Sequence, residues 1–225
     1  MIILTGASSG LGQEIIKDLS KIDFVYAIYN KNKPKISNIR NIKLVKLNLT
    51  DEKKIIKFVN GLKESNIVLI HLAAYYKELI LANMSVADYD NHYQINQRAI
   101  FVLNKYVIPK MIYNKWGRII MFSSPAAEKG HPGTSAYSAT KSSLIGLSKV
   151  ISNEYARFNI TSNVVVVGYF DFGIYKSLTE VTKIKLIESI PSKKLGDIKS
   201  LVNAINFIIQ SDFVNGSVIN VDGGV

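Results

Sequence analysis

Residues 1–12 read MIILTGASSGLG, and no other stretch limits the fold as strongly. An apolar run, Met1 to Leu4, feeds into Thr5 and Gly6, and glycines recur at Gly10 and Gly12. A strand that ends in a glycine turn and then opens a helix is a phosphate-binding device. N–H groups at a helix N-terminus point at an anion, and the helix dipole favours negative charge there. Glycine is required where φ is positive or where a β-carbon would hold a phosphate away. A plain tight turn would read the same way, so the weight of the motif depends on the pattern of the chain downstream.

That pattern alternates. Strands are expected at residues 1–5, 23–29, 42–47, 67–72, 117–123, 160–167 and 217–221. Helices are expected at 10–20, from Thr50 or Asp51 to about 65, at 85–113, at 135–157, at about 178–189 and at 197–210. Pro109 should bend the long 85–113 helix or mark its last turn. Residues 125–134 read as a loop with Gly130, Pro132 and Gly133. The 67–72 run is unbroken and apolar, which suits a strand buried on both faces. Alternating strands and helices predict an α/β fold: a doubly wound, parallel, seven-stranded Rossmann-like sheet with helices on both faces and ligands at its carboxyl edge. With 225 residues and no linker or repeat, the chain reads as one domain, 1–225, with a substrate-side segment at about 168–195.

Composition narrows the chemistry. Cysteine is absent, which removes disulfides and thiolate nucleophiles. His71, His92 and His131 have no ligand spacing, so no metal site is expected. No window reaches a membrane span, and a motif starting at the fifth residue leaves no room for a leader, so a cytoplasmic location is expected. The net charge of +11 suits an anionic ligand or partner, or simply lysines on solvated faces. The lysines are scattered without aromatic interleaving, which argues against nucleic acid.

The second chemical signal is Tyr137-Ser-Ala-Thr-Lys141. At this spacing on a helix the two side chains share a face. An ammonium beside a phenol is expected to lower the phenol's pKa, so that it exchanges a proton near neutral pH. Spacing alone does not select the pair, because Tyr29/Lys33 and Tyr106/Lys110 share it. Tyr137 alone has a hydroxyl, Ser124, thirteen residues upstream at a strand's carboxyl end. Ser123 next door competes for that role, and Asn96 sits within the 85–113 helix.

TGASSGLG, Asn96, Ser124, YSATK at 137–141 and VDGG at 221–224 occur in the order and spacing of the short-chain dehydrogenase/reductases. Across essentially its whole length the chain resembles single-domain members such as the 3-oxoacyl-carrier-protein reductases. The resemblance implies a catalytic set of Asn96, Ser124, Tyr137 and Lys141. Tyr137 would be the general acid, and Lys141 would lower its pKa and hold the nicotinamide ribose. Ser124 would bond the substrate carbonyl, and Asn96 would support a relay water behind Lys141. Cofactor contacts are implied at Gly6, Ser8, Ser9, Gly10, Leu11, Gly12, Asn30, Lys31, Asn48, Leu49, Ala73, Ala74, Tyr137, Lys141, Gly168 and Phe170.

The chain also departs from that family. Leu72-Ala73-Ala74 stands where Asn-Ala-Gly is usual, and Asn48 where an Asp is usual. Phe172 occupies the place of a Thr that contacts the carboxamide, which leaves backbone groups near Phe170 to do so. Strand two ends in Tyr29, Asn30 and Lys31, without the acid that would hold a ribose diol, so NADP is expected over NAD. His131, Tyr175 and the 168–195 segment should line the substrate mouth. The resulting expectation is an NADPH-dependent reductase converting a small-molecule ketone to a secondary alcohol. The ketone would be a 3-oxoacyl thioester on an acyl carrier or, alternatively, a nucleotide sugar or other surface-carbohydrate ketone. A catalytically silent dinucleotide-binding module is the competing class. By resemblance the protein would be a homodimer or homotetramer.

Overall fold

The computed structural model describes every residue except 37–38, 64, 173–174 and 177. Its strands are β1 (Ile2–Thr5), β2 (Val25–Tyr29), β3 (Ile42–Lys46), β4 (Ile67–His71), β5 (Gly117–Ser123), β6 (Ile160–Val167) and β7 (Val218–Val221). They form one sheet in the order β3-β2-β1-β4-β5-β6-β7, and every pairing is parallel. β1, β4 and β5 are buried along their whole length, including Thr5, His71, Arg118 and Ser123 among their apolar residues. The strand order reverses beside β1, so the connections after β1 and β4 leave their carboxyl ends in opposite directions, the usual ligand position in such sheets.

The helices are α1 (Gly10–Ile22), α2 (Glu52–Asn60), α3 (Val86–Tyr93), α4 (Ala99–Tyr113), α5 (Ala126–Lys129), α6 (Ser135–Tyr155), α7 (Glu180–Ser189) and α8 (Ile198–Gln210). They cover both faces. One core layer packs Leu103, Val107 and Met111 of α4 and Leu144 and Ile151 of α6 against the sheet. The other packs Ile15, Ile16 and Leu19 of α1 and Leu201, Ile205 and Ile208 of α8 against it.

Three expectations need correction. The single helix at 85–113 is interrupted by a π-helical turn, Gln94–Arg98, in which the Ala99 N–H reaches back five residues to the Gln94 carbonyl. Pro109, four residues before the end of α4 at Tyr113, marks its last turn as expected. α2 stops at Asn60, where the Gly61 N–H closes onto Lys57, Phe58 and Val59. The 125–134 loop contains a short helix, α5, which the Ser124 side chain opens by accepting the Ala126 N–H at 3.3 Å.

Candidate active site

Three chain segments meet at the crevice beside β1. The first is the glycine loop. Gly6 has φ of +73°, and a β-carbon there would come within 2.6 Å of the Ala73 N. A side chain is excluded on both counts. A β-carbon on Gly12 would run into the Gly6 carbonyl. Ser9 caps α1 by accepting the Gly12 N–H at 3.0 Å, and Gln13 donates to the Ser8 carbonyl at 3.3 Å. Gly10 and Leu11 open the helix. The loop is thus held close to β4 with the positive end of α1 facing the crevice.

Thr5 fastens the end of β1 to the segment after β4. Its hydroxyl accepts the N–H groups of Leu72 and Ala73, each at 3.1 Å. Leu72 itself joins the apolar core. Asn48 folds its own turn, accepting from the Thr50 N–H at 3.2 Å and the Thr50 hydroxyl at 3.1 Å, with Leu49 packed on the core. Asn30 and Lys31 are exposed just past β2, and Ala74 is exposed past β4.

The second segment carries the hydroxyls. Ser123 is buried, and its hydroxyl is spent on the Lys141 carbonyl at 3.2 Å. The Ser124 hydroxyl, just past the end of β5, lies beside the Tyr137 phenol.

The third is α6. Tyr137 and Lys141 share a face, with the Lys141 ammonium 5.7 Å from the Tyr137 ring centroid. Lys141 is 2% exposed and donates to the Phe122 carbonyl at 2.6 Å. Burial pushes its pKa down to about 8. Burial also pushes the Tyr137 phenol up, with the neighbouring Ser124 hydroxyl acting in the other direction. The expected lowering of Tyr137 by Lys141 is not found: desolvation dominates, and the ammonium is directed to a backbone carbonyl instead.

Asn96, fully buried in the π turn, belongs to the same cluster. Its Oδ1 accepts the Tyr75 N–H at 2.7 Å, and its Nδ2 donates to the Tyr75 carbonyl at 2.9 Å and to the Thr140 hydroxyl at 3.2 Å. It thereby ties the segment after β4 to α6, one residue from Lys141.

The decoy pair Tyr106/Lys110 points elsewhere: Tyr106 donates to Glu52 at 2.7 Å and Lys110 to the Leu62 carbonyl at 3.4 Å. Gly168 donates to the Val221 carbonyl at 3.1 Å and approaches so closely that a β-carbon would lie 2.5 Å from the Asp222 Cα. That close approach explains the glycine at the β6 exit and the neighbouring VDGG turn. Phe170 is buried and stacks on Phe172 with centroids 5.4 Å apart, and its carbonyl is taken by the Phe172 N–H at 2.8 Å. Part of the backbone expected to serve a carboxamide is thus already engaged. His131 is exposed on a turn closed by Thr134, and Tyr175 lies under the Lys183 ammonium.

One contributor belongs to no motif. Tyr76 meets the Tyr137 ring edge to face, with centroids 5.0 Å apart and planes at 90°. Its one sequence signal is the pair of tyrosines that replaces the usual wording after Leu72-Ala73-Ala74.

The family model described as short chain dehydrogenase matches residues 1–183. A 3-oxoacyl-acyl-carrier-protein reductase FabG of Buchnera aphidicola is 32% identical over 234 residues, covering 99% of this chain and 96% of the relative. The enzyme of the same name from Rickettsia felis is 32% identical over 233 residues, covering 99% and 95%. A solved structure described as ElxO with NADP bound superposes with a TM-score of 0.87 at 22% identity, covering 99% of this chain and 97% of the other.

Proposed function

We propose that this chain, which belongs to the short-chain dehydrogenase/reductase family of NAD(P)-dependent oxidoreductases, reduces a ketone to a secondary alcohol with NADPH and uses Tyr137 as the general acid. The observation that carries this reading is the convergence of Ser124, Tyr137 and a buried Lys141 beside the glycine cradle.

The residues fit a dinucleotide. The cradle has no room for a β-carbon at Gly6, which lies against the Ala73 backbone, or at Gly12, which lies against the Gly6 carbonyl: the tight turn and the close helix–strand packing of a dinucleotide-binding loop. Gly6, Ser8, Ser9, Gly10, Leu11 and Gly12 would hold the diphosphate. Asn48, Leu49, Ala73 and Ala74 would flank the adenine half, and Tyr137, Lys141, Gly168 and Phe170 the nicotinamide half. Asn30 and Lys31 stand where a ribose-binding acid would repel a 2′-phosphate, and neither is an acid. Their neutral and positive side chains support NADPH over NADH.

When bound, the cofactor supplies a hydride from its nicotinamide C4. Every other step falls to this chain. Burial keeps the Tyr137 Oη protonated at neutral pH, so the phenol meets the carbonyl oxygen as a donor. The Ser124 hydroxyl offers a second donor to the same oxygen. Negative charge grows there as the carbon is reduced, and donors already aimed at it stabilise that charge without reorganising. The Lys141 ammonium, 5.7 Å from the Tyr137 ring centroid, would hold the nicotinamide ribose. Asn96 holds the wall of the site in place.

The name carried by the relatives at 32% identity supports a 3-oxoacyl thioester as the substrate. Self-association across α4 and α6 is part of the same reading, supported by Phe101, Tyr113 and Val150, which are all more than half exposed. A cytoplasmic location is supported by the absence of cysteine; among the described residues no helix is long and apolar enough to cross a membrane.

The test is NADPH oxidation with an acetoacetyl thioester and a keto nucleotide sugar, side by side. Consumption with the thioester, abolished in Tyr137→Phe, is expected. Cofactor binding without consumption by any ketone would make the protein a binding module and overturn the reading.

A further inference from the structure

Residues 75–79, just past β4, are fastened to three neighbouring parts of the fold. Asn96 clasps both backbone polar groups of Tyr75. The Tyr75 ring packs edge-on to His92 at 4.8 Å, and His92 Nε2 accepts the Lys77 N–H at 3.2 Å. Lys77 also pairs with Asp88 at 2.8 Å. The Leu79 N–H donates to the Gly133 carbonyl at 2.9 Å. Tyr76 lies between these fixed points, so its position is set by the fold and not by its own side chain.

The Tyr76 ring stands edge to face with Tyr137, and its hydroxyl donates to Glu78 Oε2 at 2.9 Å. The Glu78 side chain lies along Gly133, where a β-carbon would come within 2.8 Å of its Cγ. Both residues are exposed at the mouth of the site.

The polarity of this wall is one-sided. The only proton of the Tyr76 hydroxyl is committed to Glu78. What remains for a ligand is the phenol oxygen and the second carboxylate oxygen, which are acceptors. Next to it, Ser124 and Tyr137 supply hydroxyl donors. A carbonyl oxygen suits that donor side, and the acceptor side is left for a different part of the same substrate.

We propose that Tyr76 and Glu78 form a specificity wall that binds an N–H or O–H donor carried by the substrate beside its ketone. The inference rests on Tyr137 being the proton donor to that ketone. Two sources share this chemistry: the amide N–H of the thioester arm of a carrier, and a hydroxyl of a polyol ketone. The carboxylate disfavours an anionic group at the same point. Tyr76 is a positioning residue as well, since its edge-on packing limits the swing of the Tyr137 ring.

Three probes separate these sources: the N-acetylcysteamine thioester of acetoacetate carries an amide N–H, hydroxyacetone a hydroxyl, and ethyl acetoacetate neither. For the preferred donor-bearing probe, kcat/KM relative to ethyl acetoacetate is expected to fall about tenfold or more in Glu78→Gln and in Tyr76→Phe, since each removes part of a charged hydrogen-bonding pair. The fall should lie in KM, whereas damage to the fold would lower kcat for all three probes alike. Saturation-transfer NMR on the NADP⁺-loaded protein needs no turnover and should show that probe bound to the wild type and no longer bound to Glu78→Gln. An unchanged ratio in both variants, or unchanged saturation transfer, would overturn the wall. Saturation transfer that disappears in Glu78→Gln, with no probe ever reduced by the wild type, would leave the wall standing and refute the reductase reading instead.

Discussion

The side-chain amide of Asn96 grips the backbone of Tyr75 from both sides, accepting its N–H at 2.7 Å and donating to its carbonyl at 2.9 Å. Both partners come from segments that regular structure leaves short of hydrogen bonds. Tyr75 is past the end of β4, and Asn96 sits in a π turn whose ladder reaches five residues back. The link fixes the wall that faces Tyr137. Asn96→Ala is expected to cost about 2–4 kcal/mol, because two backbone groups lose their partners. Urea denaturation measures it, and a change under about half a kcal/mol would contradict it.

Lys141 provides a second test. Burial holds its ammonium at about 8, against 10.5 for the free side chain. Between those values the unfolded chain carries a proton that the folded chain has shed, so stability rises with pH across that window. Below it, the full penalty of burying the charge applies. Lys141→Met is expected to flatten the rise and to stabilise the protein at pH 7 by about 2 kcal/mol, while removing activity. Melting temperatures of both proteins at pH 7 and pH 10 test this. A less stable variant at pH 7 would show that the hydrogen bond to Phe122 outweighs desolvation.

Much of the fold and the site is legible in the sequence. β4 can be read because a strand buried on both faces needs a run of apolar residues such as Ile67 to Ile70. The cradle is legible because Gly6 and Gly12 answer a steric demand that leaves no alternative residue. The π turn is not, because it is joined to a partner twenty-one residues away and nothing in the local periodicity of 85–113 marks it. The same holds for the Tyr137 phenol. Spacing predicts that a lysine lies near, whereas burial, which decides the direction of the shift, depends on everything packed around it. Tyr76 escapes a sequence reading for a related reason: it acts on a segment brought near by the sheet crossover and belongs to no motif.

His71 makes the acid side of stability predictable. Buried beside Asn104 Oδ1, with Nε2 at 3.2 Å, it is pushed down to about 4 chiefly by desolvation, with the Lys141 charge adding to the fall. The unfolded chain protonates near 6.5 and the folded chain only near 4. Stability therefore falls as pH drops through that interval, by up to about 3 kcal/mol. His71→Gln should remove that part of the slope. Urea midpoints at pH 7 and pH 4.5 would show it, and equal slopes in the two proteins would contradict it.

Cofactor choice turns on the end of β2. Placing an acid there should favour a free ribose diol and repel a 2′-phosphate. Asn30→Asp is expected to weaken NADPH by about tenfold relative to NADH, on the scale of one charged contact. Titration of both cofactors by fluorescence measures the ratio. NADH binding tenfold tighter than NADPH in the unaltered protein would contradict the NADPH reading at its root.

The most direct measurement tracks one atom. NADPH deuterated at the transferred position of its nicotinamide C4 is incubated with an acetoacetyl thioester and either the wild type or Tyr137→Phe. The account predicts one deuterium on the carbinol carbon of the wild-type product. In Tyr137→Phe, transfer should be slower by about a hundredfold or more, with NADPH affinity retained. Transfer at an unchanged rate in that variant, or NADPH bound by the wild type with no deuterium delivered, would contradict it.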